Sequence, residues 1–120
     1  MKRCTLLAAL SAVFLVTALG CEADKKLDPD KGCFSNSPLK TISWAQDQLA
    51  SFQRPKSGPL RVVIYSYKKE YYLAFENPVL SSPMSYVFDC SGQNIAQKGI
   101  RYNDFTTDAQ VLKVLLDEKY

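Results

Sequence analysis

Apolar positions in this chain fall into three patterns, and each predicts a different element. The first is continuous: residues 5–19 carry no charge and are mostly aliphatic. The second repeats at helical spacing. Ala45, Leu49 and Phe52 form one stripe, which predicts a helix over residues 44–53, since positions three and four apart share a helix face. Ser43 stands at the N-cap with Gln46 three residues on, an S-x-x-Q capping box. RPKSGP, residues 54–59, supplies the stop. Near the C-terminus Val111, Leu112, Val114 and Leu115 form a broader stripe, and Thr107 with Gln110 a second box. With Asp108 well placed in a first turn, a second helix is expected over residues 108–118.

The third pattern is β-branched and aromatic. LRVVIYSY (60–67) and YYLAF (71–75) read as strands. Pairing Ser66 with Tyr71 sets Ile64 against Leu73 and Val62 against Phe75. That register gathers Leu60, Val62, Ile64, Tyr71, Leu73 and Phe75 on one face, and a slip of one residue scatters them. The other face receives Arg61, Val63, Tyr65, Tyr67, Tyr72 and Ala74, with Tyr65 opposite Tyr72. Lys68 and Lys69 occupy the turn, a poor pair for type I′ geometry. MSYVFDCSGQNIAQ (84–97) predicts a second hairpin turning at Ser91-Gly92, with Phe88 opposite Ile95 and with Tyr86, Phe88 and Cys90 on the core side. ENPVLSSP (76–83) is a turn-rich connection. The sum is an α+β fold in the order α-β-β-β-β-α. A four-stranded antiparallel meander of two hairpins carries its N- and C-terminal helices on one face, and its tyrosine face meets solvent or a partner.

Lys2 and Arg3 precede the apolar run and Gly20 closes it, the layout of a secretory signal peptide over residues 1–20. A transmembrane helix is the alternative. The run falls short of the ~20 apolar residues a span needs, and no basic cluster follows at once. Ala18-Leu19-Gly20-Cys21 resembles the lipobox of bacterial lipoproteins, with Ala18 where Leu is usual. The resemblance implies cleavage before Cys21, a diacylglyceryl group on its thiol and an acylated new amine. Two or more acyl chains hold a protein at a membrane where one does so only marginally. The implied product sits in the bacterial cell envelope, anchored outside the cytoplasm in the outer membrane or a periplasmic leaflet. The alternative is a secreted protein whose Cys21 pairs with another cysteine. EADKKLDPDKG (22–32) is too charged to bury a core. Residues 21–32 therefore read as a flexible tether and residues 33–120 as a single α+β domain.

Charge and cysteine content change meaning after such cleavage. The chain has 15 basic and 12 acidic residues; without Lys2 and Arg3 the balance is 13 to 12, a net charge of about +1. Nothing in that balance favours nucleic acid as a partner. With Cys4 removed and Cys21 acylated, Cys33 and Cys90 remain as an even pair in an oxidising compartment. A bond across the 57 positions between them is worth about 4 kcal/mol in chain-entropy terms. Two free buried thiols are the alternative.

The chain contains no histidine, which removes Ser-His and Cys-His activation and the commonest metal ligand. It has no C-x-x-C pair and no glycine-rich phosphate loop. Neither a metal nor a cofactor is expected. Asp89, Asp104 and Asp108 fall near loop ends. Asp108 is accounted for by the helix start, while Asp89 and Asp104 are the pair a small hydrolase would set across a glycosidic bond. The candidate binding surface is Tyr65, Tyr67 and Tyr72 with Lys68 and Lys69: rings with polar tips beside two cations, suited to a protein or glycan. Cross-strand tyrosine packing is the structural alternative. Trp44, the only tryptophan, fits core packing.

Several short motifs accompany Cys21. They are Cys33, the helix opening Ile42-Ser43-Trp44, YSYKKEYY (65–72), YVFDCSGQNI (86–95) with its hydrophobic-Asp-x-x-Gly-x-x-Ile order, Gly99-Ile100 and Asp104-Phe105. Together, over about residues 33–105, they resemble a family of small uncharacterised Bacteroidetes-type lipoproteins. That family usually carries further cysteines after the second hairpin, and Ala96 stands at one such place. The resemblance implies an anchored α+β domain and brings no activity with it. The expectation is a membrane-anchored interaction module and not an enzyme. Its alternatives are an envelope hydrolase using Asp89 and Asp104, an inhibitor of a secreted enzyme presenting the 77–83 loop, and a purely structural envelope component.

Overall fold

A computed structural model of the protein describes residues 27–53 and 58–119. The expected signal peptide and lipobox, with Cys4 and Cys21, lie outside the described residues. The chain is α+β with a four-stranded antiparallel sheet in the order β3-β2-β1-β4. At its centre, β1 (Pro59–Tyr67) and β2 (Glu70–Glu76) pair in the register read from the sequence, with Val62 opposite Phe75, Ile64 opposite Leu73 and Tyr65 opposite Tyr72. Lys68 and Lys69 both adopt positive φ, 47° and 63°. A two-residue turn matching the strand twist demands this at both positions, and each non-glycine residue so placed costs about 1–2 kcal/mol. Hydrophobic register overrides turn chemistry here. Leu60, Val62, Ile64, Leu73 and Phe75 are all fully buried, and any slip would expose them.

The C-terminal segment departs from expectation. Residues expected to form a helix over 108–118 instead form β4 (Gln110–Lys119), antiparallel to β1. Its register shifts twice: Val62 pairs with Leu116 but Val63 with Val114, and Ile64 pairs with Lys113 but Tyr65 with Val111. Each shift is a β-bulge carrying one extra residue, Leu115 and Leu112. Two bulges stretch the strand's two-residue period, so Leu112, Leu115 and Leu116 all pack on one core at the spacing of a helical stripe. Thr107 does not cap this segment. It lies inside α3 (Tyr102–Asp108) and donates to the Asn103 carbonyl at 2.7 Å.

The second hairpin is also shorter than expected. β3 (Val87–Phe88) pairs with β2, and its return is a single bridge between Phe88 and Asn94. This is one residue from the expected Phe88–Ile95 pairing. The Ile95 N–H donates to the Val87 carbonyl at 2.9 Å, which turns Ile95 to the opposite face from Phe88. Cys90 accordingly lies in the turn and is exposed, not on the core side of a strand.

Helices lie on both sides of the sheet, where one side had been expected. α1 (Pro38–Thr41) and α2 (Ser43–Gln53) cover the face that buries Phe34, Ala45, Leu60, Val62, Ile64, Leu73, Phe75 and Phe88. Gln46 does not close a box on Ser43; its side-chain amide donates to the Lys40 carbonyl and ties α2 to α1. Trp44 packs against Phe88 and Phe34, at ring-centroid separations of 5.2 and 6.1 Å. A Cβ on Gly92, at φ 86°, would stand 3.0 Å from the Trp44 indole, so the turn after β3 needs glycine for both conformation and space. Cys33 and Cys90 are disulfide-bonded with their Cα atoms 5.8 Å apart, clamping this turn to the segment before α1. The end of the expected tether is fastened to the body. Asp28 accepts a 2.7 Å hydrogen bond from the Tyr71 hydroxyl, Asp30 pairs with Lys113 at 3.5 Å, and Gly32 lies against the Tyr71 ring. Among the described residues no helix is long and apolar enough to cross a membrane.

Candidate functional site

The tyrosine face expected to lie open is roofed by α3 and the segment before it. Phe105 enters between Tyr65, Tyr67 and Tyr72, with centroids 5.5, 5.3 and 5.5 Å away. Tyr72 is 1 % exposed and Tyr67 4 %. Tyr67 and Tyr72 form a second core with Ala74, Val87, Ile95 and Phe105 and offer no open contact surface, while Tyr65 packs at its margin, half-buried. Once residues 110–119 join the sheet, the chain before them must cross this face to reach its edge. Lys68 and Lys69 remain exposed at the tip, and the Lys68 ammonium stands 5.4 Å from the Tyr67 ring centre.

A polar network holds the roof at the tip end. The Lys98 ammonium meets the Tyr72 hydroxyl at 3.1 Å, Glu70 at 3.3 Å and Asp89 at 3.3 Å. Tyr72 in turn donates to Glu70 at 2.8 Å. Burial works against the Lys98 charge, but hydrogen bonds to Tyr72, Glu70 and Asp89 outweigh it and hold the ammonium above its ordinary pKa. Burial likewise opposes ionisation of Asp89, yet donors from Ser91, Gln93 and Lys98 keep its carboxyl below the usual range. Asp89 Oδ1 accepts the Ser91 N–H, the Ser91 hydroxyl and the Gln93 N–H at 2.9, 2.6 and 3.0 Å. This aspartate builds a turn. Asp104 pairs elsewhere, with Arg101 of its own helix end at 3.2 Å. Neither carboxylate lines the cleft described next.

That cleft, of about 530 Å³, opens at the far end of the same face, where α3, the ends of β1 and β2, and the 77–83 loop meet. Ala74, Val87 and Phe105 form its floor, Pro78, Leu80 and Pro83 its rim, and Arg61, Tyr65 and Glu76 its polar wall. The Tyr65 hydroxyl lies 3.1 and 3.0 Å from the two carboxylate oxygens of Glu76. Burial, then the Glu76 charge and this hydrogen bond, push the phenol up to about 12. Arg61 Nε is 3.7 Å from Glu76, near enough for an ion pair but too far for a hydrogen bond. It is buried and has no hydrogen-bond partner among the described residues. Tyr102 adds a second phenol, raised by burial and then by Glu76.

Matched against protein-family models, curated proteins and solved structures, the chain has no counterpart. Its function is inferred from its own residues. The cleft is within the size range of small-ligand and side-chain pockets. It combines an apolar floor with a wall of charged and phenolic groups from Arg61, Glu76, Asp117, Tyr65 and Tyr102, which suits recognition. Tyr65, held protonated far above neutrality, cannot act as a base there. Among the described residues no group of three or more acidic or cysteine side chains is arranged to hold a metal. Sequence reasoning passed over this site, although extending the β1–β2 register by one pair sets Arg61 opposite Glu76.

Proposed function

We propose that this protein is an exported binding module, lipid-anchored through Cys21 in the bacterial envelope, whose Arg61–Tyr65–Glu76 cleft takes a protein or glycan partner. The observation that carries the reading is the Cys33–Cys90 bond, because a structural disulfide persists in oxidising compartments and not in the cytosol. The lipobox-like ALGC of residues 18–21 supports the anchor, and the cleft with its apolar floor and its Arg61, Tyr65 and Glu76 wall supports binding. The commitment of Asp89 to three hydrogen bonds and an ion pair speaks against a hydrolase. The test is the intact mass of the membrane-extracted protein. The expected form lacks residues 1–20, carries acyl mass on Cys21 and has no free thiol. Cys21→Ala should abolish both the acyl mass and the cleavage before residue 21, and an unprocessed, reduced cytosolic form of the unmutated chain would end the proposal.

A second reading is favoured by one observation. In the 77–83 loop the Asn77 side chain accepts the Val79 N–H at 3.0 Å, and Val79 projects at 76 % exposure. A braced loop presenting one apolar side chain is what an inhibitor of a secreted enzyme would display. Binding to an envelope protease, abolished by Val79→Asp, would favour this reading over a ligand held in the cleft.

A further inference from the structure

We propose that the β1–β2 hairpin tip docks on an anionic phospholipid headgroup layer through Lys68 and Lys69, so that the cleft faces away from the membrane. The proposal rests on acylation of Cys21. Six peptide links separate Cys21 from Leu27, so the anchored residue lies within about 22 Å of the folded body on any path. The body's attachment point is known. Asp28 is bonded to the Tyr71 hydroxyl and Asp30 to Lys113. Tyr71 is the second residue of β2, two positions after Lys69, and Lys113 pairs with Ile64 towards the same end of the sheet. The chain therefore reaches the domain beside the hairpin tip. The cleft opens towards the other end of the strands, where Arg61 stands opposite Glu76; of its β1 and β2 lining, Tyr65 comes nearest the tip, two residues before the end of β1.

The positive charge at the tip end is concentrated in the turn itself. Of the carboxylates behind it, Asp30 is matched to Lys113, Glu70 and Asp89 share Lys98, and the Asp28 carboxylate accepts the Asp30 N–H. Lys68 and Lys69 form the turn itself and are exposed, with no salt bridge among the described residues. A tip held within reach of the bilayer comes inside the ~8–10 Å over which surface charge acts at physiological salt. Each lysine then favours the docked orientation about fivefold. The left-handed backbone at both residues keeps the pair at the projecting point of the hairpin.

The experiment uses the acylated mature protein in phosphatidylglycerol vesicles doped with a headgroup-photoreactive phospholipid. Adducts are mapped by peptide mass, and the acyl mass is read in the same spectrum. Adducts should fall on the peptide containing Lys68 and Lys69 at least about tenfold more often than on the 77–83 loop. Lys68→Glu with Lys69→Glu, or vesicles of phosphatidylcholine alone, should remove most of that excess. Equal labelling of tip and loop in phosphatidylglycerol overturns the proposal, as does an excess unchanged by charge reversal. Absence of acyl mass is a different failure. It removes the anchor, and with it the basis for this orientation in the cell. The surface is then judged by coupling the Cys21 thiol to a maleimide lipid and repeating the mapping, where an even pattern rejects the tip as a headgroup contact.

Discussion

One face of the sheet is closed by hydrocarbon and a covalent bond; the other is closed by phenols and charges. Beneath α1 and α2, Leu60, Val62, Ile64, Leu73 and Phe75 pack with Phe34, Trp44 and Phe88, and the Cys33–Cys90 bond fixes the adjoining turn. Beneath α3, Tyr67 and Tyr72 pack with Phe105, and the Lys98–Glu70–Asp89 cluster fastens the crossing chain. Burial of hydrocarbon is indifferent to pH, whereas a roof pinned by ionised groups is not. The candidate cleft belongs to the second face, the one whose cover has the weaker attachment.

The largest expected effect breaks the first face. Replacing Cys33 and Cys90 together by serine should cost about 4 kcal/mol for a loop of 57 residues, read as a lowered denaturation midpoint. Next, Phe105→Ala should cost about 3 kcal/mol, and its signature should be local. Amides of α3 and residues 94–100 should exchange faster, while those pairing β1 with β2 keep their protection. Uniform loss of protection would show that the two faces are one cooperative unit. Tyr72→Phe is smaller, about 1 kcal/mol, and should loosen the Lys98 cluster without disturbing α2.

The pH response sharpens the same contrast. Glu70 is held below its ordinary pKa by hydrogen bonds from Tyr72 and Lys98; in Asp89, hydrogen bonds overcome burial in the same direction. A carboxyl lowered on folding contributes stability above its unfolded pKa, near 4, and loses it as pH falls through the folded value. Below about pH 4 the α3 side should therefore open before the α2 side. Tyr65 works at the other limit. Raised to about 12, it stabilises the fold below the unfolded tyrosine value near 10 and loses that contribution between the two. Tyrosinate absorbance should show one phenol ionising late, and Glu76→Gln should bring it forward. The smallest effect is a gain: Lys68→Asn with Lys69→Gly should add less than about 1 kcal/mol, because relief of left-handed backbone is offset by the chain entropy of glycine and only partial at asparagine, seen in the denaturation midpoint.

The central hairpin was legible because its alternation admits a single register, and Arg61–Glu76 follows from that register. The disulfide was legible from cysteine count together with the expectation of export. β4 was not, because its bulges at Leu112 and Leu115 give a strand the spacing of a helix. The tyrosine face misled for a related reason. Periodicity tells which side chains share a face, but whether the face is roofed depends on the route of the chain from Ile95 to Ala109. Tyr102 and Phe105, which complete the cleft from α3, carry no local sign of doing so.

The two bulges have a consequence for neighbouring molecules. β4 is the longer of the two outer strands, and ten residues of regular edge would present an even row of free amide and carbonyl groups on which a second chain can polymerise. By breaking that row twice, at Leu112 and Leu115, the strand keeps Leu112, Leu115 and Leu116 for its own core and denies a sister molecule a template for aggregation.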